Sequence, residues 1–159
     1  MSVKGEIFIT ANGSEIEGPR DNNSSLIFEF NHKIHKPLEA GSGAITGHTE
    51  YSPFSVVKDI DQMTPQLYQS AEHNSLCEIL IKLYRIGKDT GEEEEYLNYS
   101  LKNATIVSIQ NWMPSTKIEE NDGIGSLERV EILSQVFIVT YLDGGIEFER
   151  NSYDFSDSE

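Results

Sequence analysis

The chain has 159 residues, with 12 Lys and Arg against 27 Asp and Glu, for a formal net charge of −15. That length suffices for one domain with its own core and is short for two. The acidic excess repels phosphate backbones and anionic lipid and removes the counterion release on which nucleic-acid binding depends, so both partners are excluded.

In chain order, residues 6–10 read as a first strand, and Leu26, Phe28 and Phe30 alternate with Ile27, Glu29 and Asn31 to give a second. Residues 31–51 form a long connection, polar and glycine-rich after Ile34; loops of that length in a compact domain are functional or disordered. An extended run over 55–60 precedes Met63-Thr64-Pro65, which reads as a helix start with Thr64 as N-cap and Pro65 at the first helical position. The spacing predicts a short helix over 65–73, burying Leu67, Tyr68 and Ala71 on one face and ended by Asn74-Ser75. Over 76–85, Cys77, Ile79, Ile81 and Leu83 occupy one side of a strand, and Glu78, Leu80, Lys82 and Tyr84 the other.

A polar turn over 87–95 leads into two short strands, 96–101 and 104–110. After a second long loop, 115–126, polar and acidic, residues 128–141 are the longest strand-like run. Its Val130, Ile132, Val136 and Ile138 keep one phase while Leu133, Phe137, Val139 and Tyr141 take the other. That pattern fits a strand buried partly on both sides, or one bulged near Ser134-Gln135. Asp143-Gly144-Gly145 turns the chain into a last strand over 146–150. The expected fold is mainly β: a small barrel of antiparallel strands, closed or nearly closed to remove exposed edges, with one short flanking α-helix. A single domain over 1–150 is followed by an acidic tail, 151–159, expected to fray.

Several residues invite a sharper chemistry. His32, His35, His48 and Glu50 are zinc-type ligands by residue class, but their spacing follows no ligand register, and solvated histidine in a polar loop is the simpler reading. Asp89-Thr90-Gly91 matches the short signature of aspartic proteases, yet it leads into Glu92-Glu93-Glu94-Glu95, where solvent and repulsion oppose a shared proton. Gly41-Ser42-Gly43 lacks the Lys-Ser/Thr of a phosphate loop. Cys77 cannot form an internal disulfide and sits in an apolar run, as a buried thiol of a reducing compartment does. Trp112 and Tyr99 read as core or interface aromatics before a ligand shelf. No nucleophile, base and oxyanion-donor set is present along the chain, so no enzyme, metal or cofactor is expected.

Pro53-Phe54, Thr64-Pro65-Gln66-Leu67-Tyr68, the run from Glu78-Ile79-Leu80-Ile81 through Lys82-Leu83-Tyr84-Arg85, then Leu101-Lys102-Asn103-Ala104 and Met113-Pro114 occur together in this order. In that order and spacing the chain resembles the hemolysin-coregulated protein (Hcp) family, the tube subunits of bacterial type VI secretion systems. The likeness is strongest over 51–114 and weaker through 128–141. It implies a homohexameric ring, stacked head to tail into a hollow secreted tube, with spike and sheath components and effector cargo as partners. It also implies that loop 31–51 reaches the neighbouring ring, making Lys33, His35, Lys36, Leu38, Glu39, His48 and Tyr51 the candidate contact residues. The alternatives are a monomeric barrel binding a small ligand or peptide, and a phage tail-tube subunit sharing the same barrel and ring. Met1-Ser2-Val3-Lys4-Gly5-Glu6 holds no apolar signal core, and no apolar run approaches the ~20 residues of a membrane-spanning helix. Cytoplasmic synthesis, and export by a route that needs no classical signal peptide, are the corresponding expectations.

Overall fold

Short runs of β-branched and aromatic residues pair, all antiparallel, into a sheet that closes on itself; the computed structural model describes residues 4–151. Strand β1 (Gly5–Ala11), on whose end the short β2 (Ser14–Glu15) folds back antiparallel, lies between β3 (Ser25–Asn31) and β7 (Cys77–Ile86). β7 pairs with β8 (Glu93–Trp112), β8 with β9 (Leu127–Tyr141), β9 with β6 (Phe54–Asp59), and β6 returns to β3. The ring of pairings is therefore closed over six strands. Closure is tight at Gly5, where a Cβ would meet Ile27 Cγ1 at 2.8 Å and the Lys82 carbonyl oxygen at 2.9 Å. The last strand, β10 (Ile146–Asn151), adds only to the distal half of β9, from Ile146 opposite Tyr141 to Asn151 opposite Val136. The expected tail over 151–159 lies outside the described residues apart from Asn151, which ends β10.

Ile7, Ile9, Ile27, Val56, Ile79, Ile81, Leu101, Ile106, Val130 and Ile132 are buried together and fill the barrel, as the period-two pattern of each strand requires. Met63 and Leu67 of the helix α1 (Met63–Glu72) join the same cluster. The helix starts two residues before the expected position, and Thr64 is not its N-cap. Gln62 occupies that place without a side-chain capping bond, and the Asp61 carboxylate accepts the Met63 N–H at 2.8 Å instead. Thr64 Oγ1 instead accepts the Asp61 N–H and donates to Glu128. Tyr68 is also not buried: the face turned inward is Met63, Leu67 and Ser70, and Tyr68 lies over β8, its hydroxyl donating to Asn111.

Beneath the helix start lies a buried ionic network. Lys58 Nζ donates to Glu128 Oε2 at 2.8 Å, to Asp61 Oδ1 at 3.1 Å and to the Asp59 carbonyl at 2.9 Å. Ser25 Oγ donates to the other Asp61 oxygen, so β3, β6, β9 and α1 meet at one set of charges.

Two expectations for the sheet are corrected. The strands expected over 96–101 and 104–110 are one strand of 20 residues, β8. Asn103 does not break it: the residue takes φ of 50° within the strand, a left-handed conformation that asparagine tolerates well. In the β8–β9 pair the register shifts on β8 between Ile106 and Ser108, not at Ser134-Gln135 of β9. On β9 itself one phase is buried from Glu128 to Val136 while Leu133 of the other is 39% exposed, and both sides are buried only at the adjacent Val136 and Phe137.

Candidate functional site

The connection between β3 and β6 is an ordered arm. β4 (Ile34–His35) pairs with β5 (Glu50–Tyr51), and a bridge from Leu38 to Ile45 extends the ladder. The Glu39 N–H donates to the Ala44 carbonyl at 2.7 Å and the Thr46 N–H to the Pro37 carbonyl at 3.0 Å. The tip turns through Gly41 and Gly43, whose φ values of 99° and 71° lie where only glycine is unstrained. So Gly41-Ser42-Gly43 is the turn of a hairpin.

Along this arm the apolar residues face solvent: Ile34, Leu38 and Ile45 are 57%, 64% and 60% exposed. Isolated exposed aliphatics are ordinary, but three on one hairpin form an exposed apolar surface, which makes the arm the candidate site. Lys33, His35, Lys36, Glu39 and His48 are exposed on the same arm, with His35 Nε2 3.0 Å from Glu50 Oε2. Tyr51 stands apart from them. It is half-buried at the root of the arm, edge-on to Phe137 at 5.5 Å between ring centroids, with the Arg150 guanidinium 4.2 Å above its ring.

The root is an aromatic cluster. His32 stacks on Phe54 with centroids 3.8 Å apart and planes within 2°, and Phe137 and Tyr99 close the cluster edge-on. Burial pushes the His32 imidazole below its ordinary value of 6.5, and a backbone hydrogen bond at Ser52 opposes part of that effect. The sign follows from linkage: the unfolded chain takes up the proton first, so stability falls as pH drops below about 6.5. The urea midpoint of the protein is expected to fall between pH 7 and pH 5, and by less in His32→Phe. An equal fall in both proteins would remove His32 from this role. Glu6 does not confuse the window. Burial would raise it, but hydrogen bonds from Tyr84, Ser24 and Asn22 and the Arg20 charge together hold it below its ordinary 4.5.

The other candidates separate. His32 is in the aromatic cluster while His35 contacts Glu50, and among the described residues no group of three or more His, Cys, Asp or Glu could hold a metal. Asp89 sits in the exposed β7–β8 turn, which the Gly87 N–H closes onto the Glu92 carbonyl. Burial pushes the Cys77 thiol up, leaving it protonated in the core. A cleft of ≈ 710 Å³ at the rim is lined by Arg85, Tyr96 and Tyr141, but the Arg85 guanidinium spans both rings and is bonded to Glu94 and the Tyr141 hydroxyl. Sequence reasoning missed Ile34 and Ile45, whose signal was present: aliphatic residues inside a polar loop. It missed Arg150, distant in sequence, for which no local signal exists.

These features define a class: a small barrel whose sheet is closed within the chain, carrying one ordered arm that presents aliphatic side chains to solvent. A family model for "Type VI secretion system effector, Hcp" matches residues 1–141, and the chain belongs to the Hcp family. The chain is 29% identical over 106 residues to the "Major exported protein" of Pseudomonas aeruginosa, an alignment spanning 66% of this chain and 61% of that protein. Its fold is similar to the Hcp1 protein of E. coli EAEC 042, with TM-score 0.82 at 25% identity, covering 95% of this chain and 99% of the other. The secreted protein Hcp3 of P. aeruginosa shares the fold at TM-score 0.74 and 17% identity, over 94% and 98% of the two chains. No helix among the described residues is long and apolar enough to cross a membrane.

Proposed function

We propose that the protein is a structural tube subunit of a type VI secretion system, acting by assembly and not by catalysis. Six copies close into a ring, rings stack head to tail into a hollow tube, and the tube leaves the cell with effector cargo in its lumen. Spike and sheath components are the partners at its end and around it. A contact that repeats head to tail along an axis does not close, so a filament is the natural product. The observation that carries this reading is the ordered arm with Ile34, Leu38 and Ile45 bare to solvent, in a chain matched to the family over residues 1–141. A ligand held inside the barrel is disfavoured, because Ile7, Ile81, Leu101 and Ile132 fill that space.

The test is negative-stain electron microscopy of the untagged protein, paired with its native mass at low and moderate salt. Six-fold rings with a central hole are expected, with more stacking at moderate salt, where the net charge of −15 is screened. A monomer under both conditions overturns the proposal. Leu38→Glu is expected to keep the rings and the unfolding midpoint, since exposed substitutions shift stability by only about ±0.5 kcal/mol, while stacks are lost.

A further inference from the structure

We infer that the arm of one copy is received by the loop between β8 and β9 of the next, residues 113–126, through paired aliphatic and charge-complementary contacts. This rests on the stacking reading and adds the receiving surface.

The two elements lie at opposite ends of the barrel. β6 begins at Phe54, where the arm rejoins the barrel, and runs to Asp59, which pairs with Leu127; the next N–H, of Ile60, donates to the Ser126 carbonyl. Five strand steps of ~3.4 Å put about 17 Å between the arm root and this loop. A head-to-tail repeat brings opposite ends of successive copies together, so the arm meets this end of its neighbour.

The loop is built to present a surface. A turn of 3₁₀ helix, Glu119–Asn121, is held by the Asn121 N–H on the Ile118 carbonyl at 3.0 Å and by the Asn121 amide on the Ser115 carbonyl at 3.0 Å. Met113, Ile118 and Ile124 stand out from it, 67%, 53% and 41% exposed, as Ile34, Leu38 and Ile45 do from the arm. Charge distinguishes the two surfaces. The arm offers Lys33 and Lys36 against Glu39, and the loop offers Glu119, Glu120 and Asp122 against the single cation Lys117, so the acidic excess is on the loop. Among the described residues none of these lysines and acids is in an ion pair within the chain, whereas Glu50 of the arm is already engaged by His35. Aliphatic pairs supply burial, and the opposed charges set orientation and reject the reverse, arm-to-arm approach.

Two variants reverse the charges, Lys33→Glu with Lys36→Glu, and Glu119→Lys with Glu120→Lys. Each is expected to form rings of unchanged native mass that no longer stack, and the four changes in one chain are expected to stack again. Separately, protein carrying Leu38→Cys, mixed with protein carrying Ile118→Cys, is expected to give disulfide-linked dimers of one of each. Stacks that survive both reversals, or rings that stack without that cross-link, overturn this inference and leave the tube reading standing. A wild-type protein that forms no rings overturns the tube reading, and this one with it.

Discussion

Lys58→Met is expected to destabilise the barrel by about 3–5 kcal/mol, because it strips the cation from a buried carboxylate. Lys58 and Glu128 both have fully buried side chains, and Lys58 Nζ also contacts Asp61 Oδ1. With the lysine gone, Glu128 keeps only Thr64 Oγ1 as a donor, at 3.1 Å, and its second oxygen, Oε1, already has no hydrogen-bond partner among the described residues. Such a carboxylate is costly in a dry site. Urea unfolding followed by circular dichroism measures the loss. The double replacement Lys58→Met with Glu128→Leu is expected to recover much of it, since removing both charges leaves nothing uncompensated. If the single change costs under about 1 kcal/mol, the network does not hold the start of α1 against β6 and β9.

Phe54→Ala is expected to cost a similar ~3–5 kcal/mol, the range for deleting a buried phenyl ring. Phe54 is 1% exposed and centres the cluster at the arm root, with His32 at 3.8 Å, Phe137 at 5.2 Å and Tyr99 at 5.5 Å between centroids. The substitution removes packing and also the plane on which His32 stacks. Hydrogen exchange at the arm amides of Glu39 and Thr46 is therefore expected to quicken more than at Ile81 in β7. Equal acceleration at all three would mean that the arm is not anchored through Phe54, and that its order comes from its own ladder alone.

How much of this protein its sequence determines follows from the range of the forces involved. Strand existence was legible because alternation is local: Cys77, Ile79 and Ile81 turn inward as the period-two pattern requires. The Hcp resemblance was legible for the same reason, through runs of neighbouring residues, and the family match over residues 1–141 agrees with it. The position of the arm was legible as an overlong connection over 31–51, and its exposed Leu38 lies among the residues that the resemblance implied.

What only the tertiary structure decided involves partners far apart in the chain. Residues 102–103 read locally as an interruption, yet β8 continues past them because Lys102 and Ala104 pair with Val136 and Ser134 of β9 in unbroken register. Thr64 has the chemistry of an N-cap, but Asp61 takes the capping bond and Glu128, 64 residues away, takes the threonine hydroxyl. Tyr51 reads as one of the candidate contact residues of loop 31–51, and the structure sets its ring at the arm root, because Phe137 and Arg150 arrive from β9 and β10. Lys58 is a strand lysine with no local sign of burial; the closure of β6 onto β9 brings Glu128 to it. Pattern reports which face of an element is apolar, whereas the register of distant strands decides which charges and rings meet.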